Sequence, residues 1–287
     1  MIIRLSQIFT YILFCVVQRA PAWRYFQLNA NYFNQELGIY SKLDTDQLIP
    51  KPWRLTQVLD CGNSQPAHYP VFVKPEWGQN SFGIQRADNL QQLSKIRAGR
   101  APNSSNRNSN YLIQNAAAGK REFEVFVIAA THSGQPPAVL SITETINHSD
   151  ELYPINGIYN QATSYCDLSS QLSDDQVKLL WQHLSQIGDF RLSRVGIRAN
   201  SLEALVSGDF QIIEINLLYP MPLIVLSNNC NWGNKIAFIV RAMWHLAAVT
   251  KTIPLSQPRK SVFFKKRTLA HRLKLSNKTT PSNEPHS

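Results

Sequence analysis

The stretch FQIIEINLL, residues 210–218, constrains this chain more than any other. A short run rich in isoleucine and leucine reads as a strand, yet it carries Glu214 and Asn216 two positions apart, so both side chains leave the strand on one face. A carboxylate and an amide on an apolar strand must be paired, hydrogen-bonded or bound to metal, because an unpaired buried charge is too costly to keep. Oxygen donors of this kind suit Mg²⁺ shared between protein and nucleotide phosphates. The alternative is a structural pairing of Glu214 with a nearby arginine, Arg194 or Arg198.

A second stretch, VFVKPEWGQNSFGI (residues 71–84), sets Lys74 at the end of an apolar strand, followed by Gly78, Asn80, Ser81 and Gly83. It lacks the glycine and lysine spacing of a P-loop and the G-x-G-x-x-G of a dinucleotide-binding turn. Lys74 could meet a phosphate as a point charge, and the small residues after it let backbone N–H groups approach the same anion. Read by itself, the stretch is equally a hairpin turn with an exposed lysine.

Other elements are legible around these two. YLIQNA is a strand, and AAGKREFEVFVIAA with PAVLSITETI suggests an antiparallel pair. Asp88, with Gln91 three positions on, is expected to cap a helix striped with Leu90, Leu93 and Ile96. Ser173 and Gln176 form a capping box for a helix whose apolar face is Val177, Leu180, Trp181, Leu184 and Ile187, ending at Gly188. SRVGIRA and FQIIEINLL are two further strands bridged by a short segment, residues 200–209, and a helix is expected over about residues 232–249. RAGRAPNSSNRNSN, residues 97–110, is a low-complexity loop without apolar anchors.

With 287 residues, 44% of them hydrophobic, the chain can build one large domain or two lobes with real cores. Its net charge is +10, but residues 257–287 hold eight basic side chains against Glu284, seven of those charges. The remainder is close to neutral and carries no large basic face for nucleic acid. The tail, interleaving basic and apolar residues in KSVFFKKRTLAHRLKL, reads as a disordered extension, with weak contact to an anionic membrane surface or to nucleic acid, without sequence specificity, as the alternative. The N-terminal run MIIRLSQIFTYILFCVVQRAPAW is too short to span a bilayer; it reads as a buried or membrane-surface helix, or else as a signal peptide, in which Pro21 interrupts the cleavage pattern. Four scattered cysteines without C-x-x-C pairs fit a reducing, cytoplasmic setting, and the signal-like start leaves export open. His183 is expected at the edge of a helix face, and His148 in a solvated loop.

In their order, SKLDTDQLIPKPW, YPVFVKPEWGQNSFGI, YLIQNAAAGKREFEV, SRVGIRANSLEAL and FQIIEIN resemble the ATP-grasp superfamily, and within it the D-alanine–D-alanine ligase-like carboxylate–amine ligases, over residues 42–222. The resemblance implies an α+β fold of two lobes clamping ATP, with a short helical N-terminal segment (residues 1–41) in place of a full preceding α/β domain. Residues 42–115 would form the first lobe with its phosphate flap, residues 116–256 the second lobe with the metal site, and residues 257–287 the tail.

Carried over, Lys42 and Lys74 resemble the lysines that contact the α and β phosphates, with Gly78, Asn80, Ser81 and Gly83 in the flap. Ile113, Gln114, Asn115 and Ala116 resemble the hinge whose backbone reads adenine, and Glu122 the acid near the ribose. Arg194 resembles the arginine that neutralises an acyl-phosphate intermediate, and Glu214 with Asn216 the Mg²⁺-binding pair. The implied activity is ATP-dependent ligation of a small carboxylate to an amine. The family has an aspartate, a metal ligand, where this chain has Gly196, and that departure favours the alternative of a nucleotide-binding or scaffold protein impaired in turnover.

Overall fold

The computed structural model describes residues 2–78, 81–100, 110–132 and 134–262. Asn80, residues 101–109 of the low-complexity loop, and residues 263–287 of the tail lie outside the described residues. In chain order the elements are α1 (Ile2–Gln18), α2 (Lys42–Gln47), β1 (Gln57–Leu59), β2 (Val71–Pro75), β3 (Gln85–Ala87), α3 (Leu90–Gly99), β4 (Tyr111–Asn115), β5 (Arg121–Ile128), β6 (Val139–Asn147), β7 (Thr163–Asp167), α4 (Asp174–Leu184), β8 (Leu192–Ala199), α5 (Leu202–Ser207), β9 (Phe210–Asn216) and α6 (Trp232–Lys251).

These elements form two antiparallel sheets, of order β1-β4-β2-β3 and β7-β6-β5-β8-β9, so the fold is α+β. The first sheet buries Val71, Val73, Ala87 and Ile113 against Leu93 of α3. The second is covered on one face by α4 and α5, where Phe123, Val125, Val127, Val195 and Ile197 meet Leu180, Leu184 and Leu205. On its opposite face Phe126, Ile128 and Leu192 pack with Tyr11 of α1 and Met243 and Leu246 of α6.

Alternation along β5 therefore places Phe123, Val125 and Val127 in one core and leaves Glu122, Glu124, Phe126 and Ile128 on the other face. That second face starts acidic and ends apolar, and the helices α1 and α6 cover its apolar end.

One irregularity decides which way β9 points. Gly196 pairs with Glu214, but the next residue, Ile197, pairs with Ile212, so Ile213 is an extra residue on β9. Phe210 and Ile212 before this bulge, and Ile215 and Leu217 after it, all enter the same core. Without the bulge, Glu214 would share the core face with Phe210 and Ile212, because a slip of one residue reverses every side chain that follows.

Several expected boundaries shift. Asn89, rather than Asp88, caps α3, its side chain accepting from the Gln92 N–H at 2.9 Å; asparagine and aspartate cap equally well, and the chain uses the one nearer the apolar stripe. The capping box of α4 forms as expected, but the helix closes at Leu184, short of Gly188. Residues 200–209 contain α5, capped by Ser201 and ended by Gly208 in the left-handed conformation. The N-terminal segment docks on the second lobe: Arg24 donates to the carbonyls of Ile253 and Pro254, and Asn29 to those of Leu192 and Leu217. Residues 257–262, expected to begin a disordered tail, are docked too, with Val262 buried beside Ala30 and Phe33.

The face of α1 turned away from α6 leaves Ile8, Phe9, Val16 and Val17 exposed. No helix among the described residues is long and apolar enough to cross a membrane. His183 lies at the edge of its helix face against the rings of Trp53 and Phe210, and His148 is exposed, bonded to Ser164.

Candidate functional site

Between the two sheets lies an open cleft of about 940 Å³, lined among others by Lys74, Ser81, Gln114, Glu122, Arg194 and Glu214. One wall is basic. Lys74 on β2 is 5% exposed; its Nζ donates to Gln114 Oε1 on β4 at 3.0 Å and to the Ile213 carbonyl on β9 at 3.3 Å. Gln114 Nε2 donates to the same carbonyl at 3.2 Å. A bulged residue falls outside regular ladder pairing, and here its carbonyl becomes the joint that the first lobe grips. Burial pushes the Lys74 ammonium down to about 7, with the charge of Lys42 adding to the effect and Glu214 and Asp46 opposing it.

Lys42 opens α2, behind the Ser41 cap, and donates from Nζ to the Pro75 carbonyl at 3.1 Å. Burial lowers its pKa, against the attraction of Glu214. Lys42, Gly78 and Asn216 line a neighbouring cleft of about 480 Å³ rather than the main one. Glu214 lines the main cleft and Asn216 the neighbouring one, and Asn216 Nδ2 donates to Glu214 Oε1 at 2.7 Å.

Of the residues expected to form a flap, Ser81 reaches across the cleft, its hydroxyl donating to the Asn156 carbonyl in the loop between β6 and β7. Gly83 and Ala116 do not line the main cleft. The expected adenine-reading hinge has its N–H groups at Asn115 and Ala116 engaged within the first lobe, donating to the carbonyls of Thr56 at 3.0 Å and Pro70 at 3.1 Å. Asn115 itself, with Ala117, does face the cleft.

The opposite wall is acidic and belongs to the second sheet. Glu122 accepts from Asn156 Nδ2 at 3.0 Å, and burial raises its carboxyl to about 6 against the pull of Asn156 and Arg198. Glu124, two residues on, is raised by burial to about 8, with Arg194 pulling it down and Glu214 and Glu122 pushing it up. Arg194 lies between the acids, Nε 3.0 Å from Glu124 Oε2 and Nη2 3.8 Å from Glu214 Oε1, while Nη1 donates to the Met221 carbonyl at 3.1 Å. Burial alone would raise Glu214, but Arg194, Lys42, Asn216 and Lys74 together hold it below the ordinary carboxylate range. Of the two arginines open as partners for Glu214, the ion pair goes to Arg194, and Arg198 donates to the Lys120 carbonyl instead.

Sequence reasoning missed Glu124 and Asn156. Glu124 carries the same signal that marked Glu214, a second polar residue two positions along an apolar strand in REFEVF, and that signal could have found it. Asn156 sits in a loop, where no periodicity points to it.

The cleft thus sets the buried Lys74 across from a cluster of acids held by an arginine, with Lys42 half-buried in the neighbouring cleft. Such a site can neutralise several anionic oxygens from one side and hold a cation from the other. Among the described residues no group of three or more His, Cys, Asp or Glu side chains could hold a metal ion on its own. The Glu214 carboxylate and Asn216 amide fit Mg²⁺ in its usual mode, where one or two protein groups are joined by ligand phosphates and water.

No family model matches the chain, and no curated protein matches it. Among solved structures it is similar to the VanG D-Ala:D-Ser ligase from Enterococcus faecalis (14% identity, TM-score 0.48, 73% of this chain and 61% of that one). It is also similar to the L-amino acid ligase from Bacillus licheniformis (15%, 0.45, 77% and 52%). A third similarity is to the D-alanine–D-alanine ligase from Bacillus anthracis complexed with ATP (12%, 0.45, 84% and 68%). The chain spans less than two thirds of the length of the first two.

Proposed function

We propose that this protein binds Mg²⁺–ATP between its two lobes and uses it to join a small carboxylate to an amine. The observation that carries this reading is the meeting of Lys74 with the Glu214 strand. Residues far apart in sequence and on different sheets converge on one cleft, joined through the Ile213 carbonyl, with Ser81 of the flap reaching across it. Cations on one wall, acids on the other and a small-residue flap make up the set expected from the sequence resemblance.

In this reading a substrate carboxylate oxygen attacks the γ-phosphorus of ATP and ADP leaves; an amine then attacks the acyl carbon, and inorganic phosphate leaves while the amine proton passes to solvent. Lys74 and Lys42 neutralise phosphate charge, Arg194 faces the charge that develops on the transferring group, and Glu214 with Asn216 holds Mg²⁺, which supplies further charge neutralisation when bound. Catalysis is then positioning and electrostatics, and no protein nucleophile is needed. A second reading, nucleotide binding without turnover, is favoured by Gly196 in place of the family's aspartate.

The test is ATP binding with and without Mg²⁺, followed by phosphate release across a panel of amino acids and small carboxylic acids. Mg²⁺-dependent binding with release for at least one pair supports ligation. Binding without release for any pair supports the second reading, and absence of ATP binding overturns both.

A further inference from the structure

The position that departs from the family pattern is not an open gap. Gly196 on β8 is the registered partner of Glu124 on β5 and of Glu214 on β9, so the three residues form one row across the sheet. A Cβ built on Gly196 would lie 3.1 Å from Glu214 Cγ and 3.3 Å from Glu124 Oε1. The two glutamates lean over the glycine from either side and fill the volume that an aspartate side chain at Gly196 would need.

Glu124 is only 6% exposed and lines the main cleft. Its Oε2 is buried without a hydrogen-bond partner, although Arg194 Nε stands 3.0 Å away, and Nε is likewise without a partner. The pair is close but poorly aligned for a hydrogen bond. The Arg194 guanidinium offsets part of the desolvation penalty of that oxygen without giving it an aligned hydrogen bond, and a divalent cation is the kind of ligand that would complete its partners.

We propose that Glu124 supplies, from the neighbouring strand, the carboxylate that Gly196 cannot, completing with Glu214 and Asn216 the oxygen donors for the divalent cation that accompanies the nucleotide. The inference rests on the Mg²⁺–ATP reading and adds a metal-binding residue to it. Two carboxylates, one amide and ligand phosphates make a Mg²⁺ site that forms only with nucleotide present. Gly196 is, in this arrangement, the residue that lets the two glutamates approach.

The experiment measures Mn²⁺ binding by electron paramagnetic resonance, and nucleotide affinity with and without Mg²⁺, using a non-hydrolysable ATP analogue on the full chain. Glu124→Gln is expected to weaken Mn²⁺ binding in the ternary complex by about tenfold or more, the scale set by disturbed metal shells, and, by removing a negative charge from the cleft, to leave metal-free nucleotide affinity unweakened. Should Glu124→Gln not fold, Glu124→Asp keeps the charge beside Arg194 while withdrawing the oxygens by one methylene, and is expected to lose Mn²⁺ affinity with apo stability retained.

Unchanged metal dependence in Glu124→Gln or Glu124→Asp, with nucleotide still bound, overturns the inference and leaves Glu124 as a counter-ion for Arg194. Failure of the unmodified protein to bind nucleotide at all overturns the ATP reading and this inference together.

Discussion

The two walls of the cleft are held in place by different means. The basic wall stands on a four-stranded sheet with a small apolar backing, Leu93 over Val71, Val73, Ala87 and Ile113. Its key lysine is anchored partly by the other lobe, through the Ile213 carbonyl. The acidic wall stands on a five-stranded sheet whose core faces are filled under α4 and α5 and under α1 and α6. Glu124, Arg194 and Glu214 are fixed there by strand register and by each other. The acidic wall is therefore built before any ligand arrives, whereas the basic wall depends on contacts that cross the cleft. Changes to the buried residues beneath either wall should register mainly as stability, and changes to the groups that face the cleft mainly as ligand affinity.

The largest expected effect tests the acidic wall's foundation. Phe123 is fully buried between the two glutamates in sequence, on the opposite face of β5. Phe123→Ala should lower unfolding free energy by about 3–5 kcal/mol, and Leu93→Ala in the small lobe by about 2–5 kcal/mol toward the lower end, read by chemical denaturation. Hydrogen exchange under native conditions should show the Leu93→Ala loss confined to residues 57–115. If both variants loosen both sheets equally, the walls share one foundation and the contrast between them is wrong.

Next in size is Lys74→Met. It removes a charge from the basic wall that has two hydrogen bonds but sits in a costly environment, so apo stability should hold or rise. Hydrogen bonds to charged groups contribute about 1.5–3 kcal/mol, so ATP affinity should fall roughly tenfold to hundredfold by calorimetry. A large loss of apo stability with little loss of affinity would make Lys74 a structural joint between the lobes.

The same lysine sets a pH signature. Its ordinary pKa is 10.5 and the fold lowers it to about 7, so between those values the unfolded chain holds a proton that the folded protein has shed. Stability contributed by this group therefore rises with pH across that window, and the burial penalty is fully in force below about pH 7. Phosphate beside the ammonium would raise its pKa again. At pH 8, ATP binding should take up close to one proton, seen as a buffer-dependent binding enthalpy, and Lys74→Met should abolish that uptake.

Much of this was legible in the residues because period and charge agreed. Lys74, Glu122, Arg194 and Glu214 all sit on strands whose apolar neighbours mark them, and each lines the cleft. Strict alternation, however, puts Glu214 on the face of Phe210 and Ile212, and only the extra residue Ile213 turns it into the cleft. A bulge is set by pairing with a strand elsewhere in the chain, so no local pattern announces it. The three-residue strands β1 and β3 escaped for lack of enough residues to show a period, and β7, TSYCD, escaped because it has no apolar run to mark it. The six-residue helix α5 escaped as a bridge between strands, although Ser201 and Gly208 bracket it with a cap at each end. Gly196 stood out as a missing ligand, but that its space is shared by two glutamates is a fact of register, and it became visible only when β5, β8 and β9 lay side by side.

The smallest expected effect lies in the flap, where the basic wall reaches across. Ser81 contributes one neutral hydrogen bond, to the Asn156 carbonyl, and a bond of that kind contributes about 0.5–1.5 kcal/mol. Ser81→Ala should speed nucleotide release a few-fold in stopped-flow fluorescence and, because the bond is already made without ligand, lower apo stability by about 0.5–1.5 kcal/mol. Ser81 also has φ 59°, a conformation that alanine resists and glycine accepts. Ser81→Gly therefore removes the hydroxyl while easing the backbone, and the two variants separate the contributions. Equal acceleration in both assigns closure to the hydroxyl, which ties the flap to the loop that also supplies Asn156 Nδ2 to Glu122. Acceleration by alanine alone would assign it to the backbone turn, and the two walls would then communicate through the Ile213 carbonyl rather than through the flap.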